Sequence, residues 1–201
     1  MRVHVVGAGL AGLACALDLL AAGQAVTVWE ATPKAGGRCR SYHDATLDRR
    51  IDNGNHLILS GNRAVLSHAD RLGAAGLLRT LPEAAFPFAD LATGAAFTVR
   101  VPASPLGALR AGARPPGAGA WEAARGVAGL LLAGRGATVA EAVPGRGAMW
   151  RAFWEPMATA VLNMPPEAGS AALLRGALLR SFLRGAAACR PVLAPEGLGE
   201  A

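Results

Sequence analysis

Apolar residues at the start of the chain follow two different periods in quick succession. "RVHVV" is a short β-branched run ending at Gly7 and reads as a buried strand. "LAGLACALDLLAAG" then sets Leu10, Leu13, Leu17 and Leu20 along one side of a helix, with Gly23 as its stop. "AVTVWE" is a second strand, so this opening predicts a βαβ unit with parallel strands. Residues 31–55 read as a loop, "HLILSG" as a short strand or a turn, and "NRAVLSHADRLGA" as a helix beginning near Asn62.

From about residue 80 the texture changes. "LPEAAFPFADLATGAAFTVRVPA" predicts a hairpin about a Thr93-Gly94 turn in a second domain. "RAGARPPGAGA" is a loop and "WEAARGVAGLLLAG" an apolar helix; "TVAE" at 138–141 is a capping box. "AMWRAFWEPMATAVLN" reads as helical on either side of Pro156, and "MPPEAGS" breaks it. "SAALLRGALLRSFLRG" predicts a helix with Ser170 as N-cap and Gly185 as its stop. The expected segments are 1–78, 79–190 and a return segment at 191–201. The tail "RPVLAPEGLGEA" reads as extended chain, a turn and the opening of something apolar. A doubly wound sheet with two confident parallel strands is unfinished, so the chain is expected to be the N-terminal part of a longer protein.

Bulk properties narrow the function classes. With 52% hydrophobic residues over 201 positions, core formation is expected rather than disorder. The net charge is +6, and Lys34 is the only lysine among 20 basic residues, a bias that resembles GC-rich codon usage and weakens any reading of the pI. Basic residues still outnumber acidic ones mainly in the second half, 11 to 6 over residues 100–201, which favours contact with an anionic membrane surface. Nucleic acid is not expected as a partner, because the arginines are scattered and no recognition motif is present. Cys15, Cys39 and Cys189 have neither disulfide nor zinc spacing, so no metal is expected and a cytoplasmic location is. The apolar run Val5 to Leu17 behind Arg2 competes as a signal peptide, but its regular glycines and the strand that follows favour a folded turn.

Those glycines carry the first chemistry. Gly7, Gly9 and Gly12 have the GxGxxG spacing between strand and helix, with Ala8, Leu10 and Ala11 completing the turn. The pattern suits a pyrophosphate at a helix N-terminus. Glu30, at the end of the second strand and followed by Ala31, is placed to accept hydrogen bonds from ribose hydroxyls. An acid there argues against a 2′-phosphate, but does not separate NAD from FAD.

"GAGLAGLACALDLLAAGQAVTVWEATPKAGGRCRSY" resembles the flavoprotein superfamily of amine oxidases and phytoene desaturases, in which Gly-Gly-Arg follows the ribose-binding acid, here Gly36, Gly37 and Arg38. The resemblance implies FAD, with the glycines against the cofactor and the guanidinium on pyrophosphate oxygens. "IDNGNHLILSGN" is similar to the segment that passes near the isoalloxazine, which assigns Gly54, Asn55 and His56 to the cofactor. With "FWEPMATAVLNMPPEAGSAALL" and "RPVLAPEGLGEA", the chain is most similar to the squalene-associated FAD-dependent desaturases, the hydroxysqualene dehydroxylases.

The fold class implied is α/β: a Rossmann-like FAD-binding domain with an incomplete parallel sheet, and part of a mixed α+β, largely helical substrate domain. The activity implied is replacement of a hydroxyl of an isoprenoid lipid by hydrogen, with a cytoplasmic protein in peripheral contact with the inner face of the membrane. An oxidative phytoene or carotenoid desaturase, an amine oxidase and a non-catalytic dinucleotide-binding remnant are the alternatives. No catalytic residue is identified, and the length seen here is expected to be inactive alone. Trp150, Phe153, Trp154 and Met157 form one helical stripe that suits core packing or a lipophilic tunnel. Arg175, Arg180 and Arg184 suit lipid headgroups or a solvated face.

Overall fold

A computed structural model describes residues 2–54, 57–91, 93–104, 107 and 113–200. The chain divides into two compact units, one of residues 1–58, 63–80 and 192–201, the other of residues 59–62 and 81–191.

The first unit opens with β1 (Arg2–Val6), α1 (Leu10–Ala21) and β2 (Ala25–Trp29). β1 and β2 pair in parallel with Val3 opposite Val26 and Val6 opposite Trp29, as the opening periodicity predicts. Gly23 ends α1 at φ 74°, a left-handed position suited to glycine. The helix's apolar side is only partly covered: Leu10 and Leu20 are 53% and 55% exposed, because two strands are too narrow a platform to hide it.

Residues 31–55 are not the continuous loop that the pattern predicts. β3 (Ser41–Asp44) and β4 (Arg49–Asp52) form an antiparallel hairpin with Tyr42 opposite Ile51. Its turn is made by a side chain: Asp44 Oδ1 accepts the amides of Thr46 and Leu47, both at 2.9 Å. Polar, half-exposed strands carry little apolar alternation, which hides them from a period-based reading. The two-residue strand β5 (Ile58–Leu59) is followed by a turn, so the described part of "HLILSG", residues 57–61, contains both of the forms expected. α2 (Arg63–Arg71) begins one residue after Asn62, whose side-chain oxygen accepts the Leu59 amide at 2.7 Å. Arg71 reaches Asp18 on α1 at 2.7 Å. β6 (Arg79–Thr80) pairs antiparallel with Leu193 and Val192 of β9 (Pro191–Leu193).

The second unit holds the larger core. β7 (Ala85–Ala89) and β8 (Ala96–Arg100) form the expected hairpin, with Phe88 stacked on Phe97 and Gly94 at φ 71° in the turn. Helices α3 (Ala120–Leu132), α4 (Val139–Ala142), α5 (Glu155–Leu162) and α6 (Ala171–Arg180) pack around Leu130, Val139, Trp150, Trp154, Leu174 and Leu178. The Thr138 capping box of α4 is complete, with both reciprocal bonds to Glu141 formed.

Two helix ends depart from expectation. The segment before Pro156 is a π-helical turn, Trp150–Trp154, whose closing bond runs from the Glu155 amide to the Trp150 carbonyl. Proline lacks an N–H and crowds the preceding turn, and the wider turn accommodates it without breaking the rod. α6 has the predicted Ser170 cap, but ends at Arg180 rather than running on to Gly185. Ser181 leaves helical geometry at φ −126° while its hydroxyl donates to the Ala177 carbonyl at 2.7 Å, and a 3₁₀ turn spans Phe182–Arg184. No helix among the described residues is long and apolar enough to cross a membrane.

Candidate functional site

The glycine turn after β1 is shaped by contacts that exclude side chains. Gly7 has φ 96°, and its amide donates to the Trp29 carbonyl at 2.7 Å, tying the turn to the end of β2. A Cβ at Gly12 would lie 1.9 Å from the Gly7 carbonyl oxygen, so the helix can approach the turn only with glycine there. At Gly9, by contrast, a Cβ would meet nothing within 4 Å, and the space above the backbone is open.

Gly9 is also the N-cap of α1, and no side chain caps the helix. The first intrahelical bond is from Leu13 to the Gly9 carbonyl at 2.9 Å, so the amides of Leu10, Ala11 and Gly12 have no acceptor within the helix. The first turn carries no acidic residue. The positive end of the helix dipole therefore meets no cap or acidic side chain from the helix itself, and Leu10 and Ala11 are exposed beside it.

The second glycine pair lies against the first. The Gly36 amide donates to the carbonyl of buried Ala8 at 2.7 Å, and Gly9 and Gly36 form a parallel bridge. A Cβ on Gly37, at φ 62°, would stand 3.1 Å from the Gly9 Cα. One on Gly36, at φ 100°, would sit 2.8 Å from the Cys39 carbonyl oxygen. Two distant glycine-rich segments thus form one continuous backbone surface.

Glu30 joins that surface from β2. Its Oε2 accepts the Ala8 amide at 2.8 Å, and its Oε1 accepts the Thr32 amide at 2.9 Å. The Thr32 hydroxyl lies 2.9 Å from both Glu30 Oε1 and the Lys34 carbonyl, so its single hydrogen serves one at a time. These donors, the Ala8 amide first, draw the carboxyl from 4.5 down to about 2. Glu30 is ionised at neutral pH and remains exposed next to Ala31.

Arg38 is exposed directly behind Gly37. Its carbonyl is 3.5 Å from the Asn53 side-chain nitrogen, and the Asn53 amide donates to the Arg40 carbonyl at 2.7 Å. The chain leaving β4 is thereby drawn alongside the Gly36–Arg38 loop, and Gly54 follows in a half-buried bend. Asn55 and His56 lie outside the described residues.

Sequence reasoning missed a latch in the same unit. The hydroxyl of buried Ser41 donates to Asp52 Oδ1 at 2.5 Å and accepts the Gly199 amide at 2.8 Å, while Asp52 Oδ1 also accepts the Leu198 amide at 2.9 Å. Close approach is again by glycine: a Cβ on Gly197 would fall 2.4 Å from Ser41 Oγ. The signal available was the glycine spacing in "PEGLG", without anything to name its partner.

The second unit contains a cavity of about 380 Å³. Its wall is almost wholly apolar and includes Val101, Val127, Leu131, Met149, Phe153 and Trp154. Of the aromatic stripe, Trp150 and Trp154 are core residues, as core packing predicts, and Phe153 and Trp154 also line the cavity. Arg175 is not turned to headgroups: its guanidinium donates to the Leu131 and Ala133 carbonyls at 3.2 and 3.0 Å, closing the C-terminal end of α3.

Residues 10–200 match the model of the flavin containing amine oxidoreductases, so the cofactor implied is a flavin. The chain is 39% identical over 197 residues to a hydroxysqualene dehydroxylase of Zymomonas mobilis, covering 97% of this chain and 47% of that protein. It is 38% identical over 199 residues to a hydroxysqualene dehydroxylase of Sinorhizobium fredii, covering 98% of this chain and 48% of the relative. A probable zeta-carotene desaturase of Synechococcus elongatus is 47% identical over 57 residues, 28% of this chain and 10% of that protein. The chain spans about half the length of the hydroxysqualene dehydroxylases it matches. It belongs to the family of flavin containing amine oxidoreductases.

Proposed function

We propose that this chain is the cofactor-binding half of an FAD-dependent oxidoreductase that reductively dehydroxylates hydroxysqualene to squalene. The observation that carries the reading is the likeness to hydroxysqualene dehydroxylases along nearly the whole chain. The likeness to a carotene desaturase is far shorter, at 28% of the chain.

The residues present fit a flavin dinucleotide. The uncapped amides of Leu10 to Gly12 and the open space over Gly9 suit a pyrophosphate, and ionised Glu30 suits the adenosine ribose hydroxyls. Gly36 and Gly37 keep side chains away from the cofactor path, and Arg38 offers a guanidinium to phosphate oxygens. Gly54, Asn55 and His56 belong to the sequence segment assigned to the isoalloxazine side. When bound, the flavin supplies hydride-transfer chemistry. The overall change breaks a C–O bond and forms a C–H bond, consuming a hydride and a proton and releasing water. The apolar cavity contributes a dry environment for a hydrocarbon substrate. A cytoplasmic protein working at the inner face of the membrane suits such a substrate.

The test is anaerobic mixing of hydroxysqualene with the reduced flavoprotein, using a chimera in which the second half of a hydroxysqualene dehydroxylase completes this chain. Squalene and oxidised flavin are the expected products. A flavoprotein that instead accepts electrons from a less conjugated carotenoid precursor such as phytoene supports the desaturase reading, and no change in either flavin or lipid refutes both.

A further inference from the structure

Helix α3 presents an exposed stripe that the core does not use. Trp121, Arg125, Ala128 and Leu132 stand at i, i+4, i+7 and i+11, on the side opposite buried Ala123, Gly126 and Leu130. Trp121 is 74% exposed and Leu132 is 84% exposed. An isolated exposed leucine needs no explanation, but a tryptophan and a leucine framing an arginine on one face do.

Two further observations say what the stripe faces. The acidic residue of α3 is turned inward: Glu122 accepts the Met149 amide at 3.2 Å, and a Cβ on Gly147 would meet its carboxylate at 2.4 Å. The stripe therefore carries positive charge alone, from Arg125, with exposed Arg135 just beyond the helix. The stripe also borders the cavity, since Ala124, Ala128 and Leu131 are exposed and contribute to its wall. Arg175 holds the end of α3 in place by bonding the Leu131 and Ala133 carbonyls.

We propose that α3 docks this unit on an anionic lipid surface, with Trp121 and Leu132 entering the acyl boundary and Arg125 and Arg135 at the headgroups. Tryptophan suits that boundary because its ring is apolar and its N–H polar, and arginine pairs with phosphate. The cavity then opens toward the membrane, and an apolar lipid passes into it along Ala128 and Leu131 without crossing water. The proposal rests on the lipid-substrate reading for its purpose, but binding is measured without substrate, flavin or turnover, so the two fail separately.

The experiment is co-sedimentation of the 201-residue chain with vesicles of phosphatidylcholine, alone or mixed with phosphatidylglycerol. Binding to the mixed vesicles is expected, with Trp121 emission shifting to the blue; Trp121→Phe removes that shift and Trp29→Phe keeps it. Arg125→Glu should weaken binding at least about fivefold, since one basic residue near such a surface accounts for a factor of that order. Leu132→Glu should weaken it by about tenfold or more. Arg49→Glu, an exposed change in the other unit, controls for net charge and should have the smaller effect. If Leu132→Glu fails to fold, quenching of Trp121 by brominated lipid in the unaltered chain decides the question. Equal binding to both vesicle types, variants that bind like the parent, or a chain dimer dispersed by Leu132→Glu with vesicle binding unchanged would overturn the proposal.

Discussion

Gly37 stands so close to Gly9 that a methyl group on it would lie 3.1 Å from the Gly9 Cα, although the two are far apart in sequence. That contact joins the two glycine-rich segments into one surface. Alanine at 37 meets both the close contact and the left-handed φ of 62°, a conformation costing an L-residue about 1–2 kcal/mol. Gly37→Ala should therefore lower the Tm modestly and weaken FAD binding more strongly, as read by flavin titration.

Gly12→Ala should do more damage. Its Cβ would stand 1.9 Å from the Gly7 carbonyl oxygen, against backbone that cannot rotate away. The helix must move off the strand, at about 3 kcal/mol. Chemical denaturation measures the loss, and flavin uptake should disappear with it.

The Glu30 carboxyl gives a pH signature. Its folded value of about 2 lies below the unfolded 4.5, so its contribution to stability is complete above pH 4.5 and is lost as pH falls toward 2. Tm measured across that window should fall less steeply in Glu30→Gln, with little difference in slope near neutrality.

Ser41 links the hairpin to the distant turn at 197–199. Ser41→Ala leaves the Gly199 amide without its acceptor, at about 1–3 kcal/mol for a buried group. Hydrogen exchange at Leu198 and Gly199 should accelerate, while the amides of the α6 core remain protected.

Trp154 is 2% exposed, and its indole nitrogen has no hydrogen-bond partner among the described residues. Trp154→Ala should cost about 3–5 kcal/mol, and Trp154→Phe much less, because no hydrogen bond is given up. Gly126→Ala pushes a methyl to 2.5 Å from that nitrogen and should cost about 1–3 kcal/mol by overpacking. Denaturant melts of the three variants test the order.

What was legible in the sequence by itself is local. The βαβ opening, the hairpin about Gly94 and the caps at Thr138 and Ser170 depend on periodicity, a positive φ or a side chain bonding its own neighbours, all properties of a few adjacent residues. The glycine spacing of the first turn is legible for the same reason. What tertiary structure alone decided is which distant segments meet. Gly36 bonding Ala8, Ser41 bonding Gly199, β6 pairing with β9 and Arg175 closing α3 are non-local contacts that no window on the chain contains. The hairpin at Ser41–Asp52 and the π turn before Pro156 belong with them, since charged strands carry little pattern and a proline in a helix can be met in more than one way. Periodicity reports which face of an element is apolar; only packing decides what that face, or the space left beside it, is pressed against.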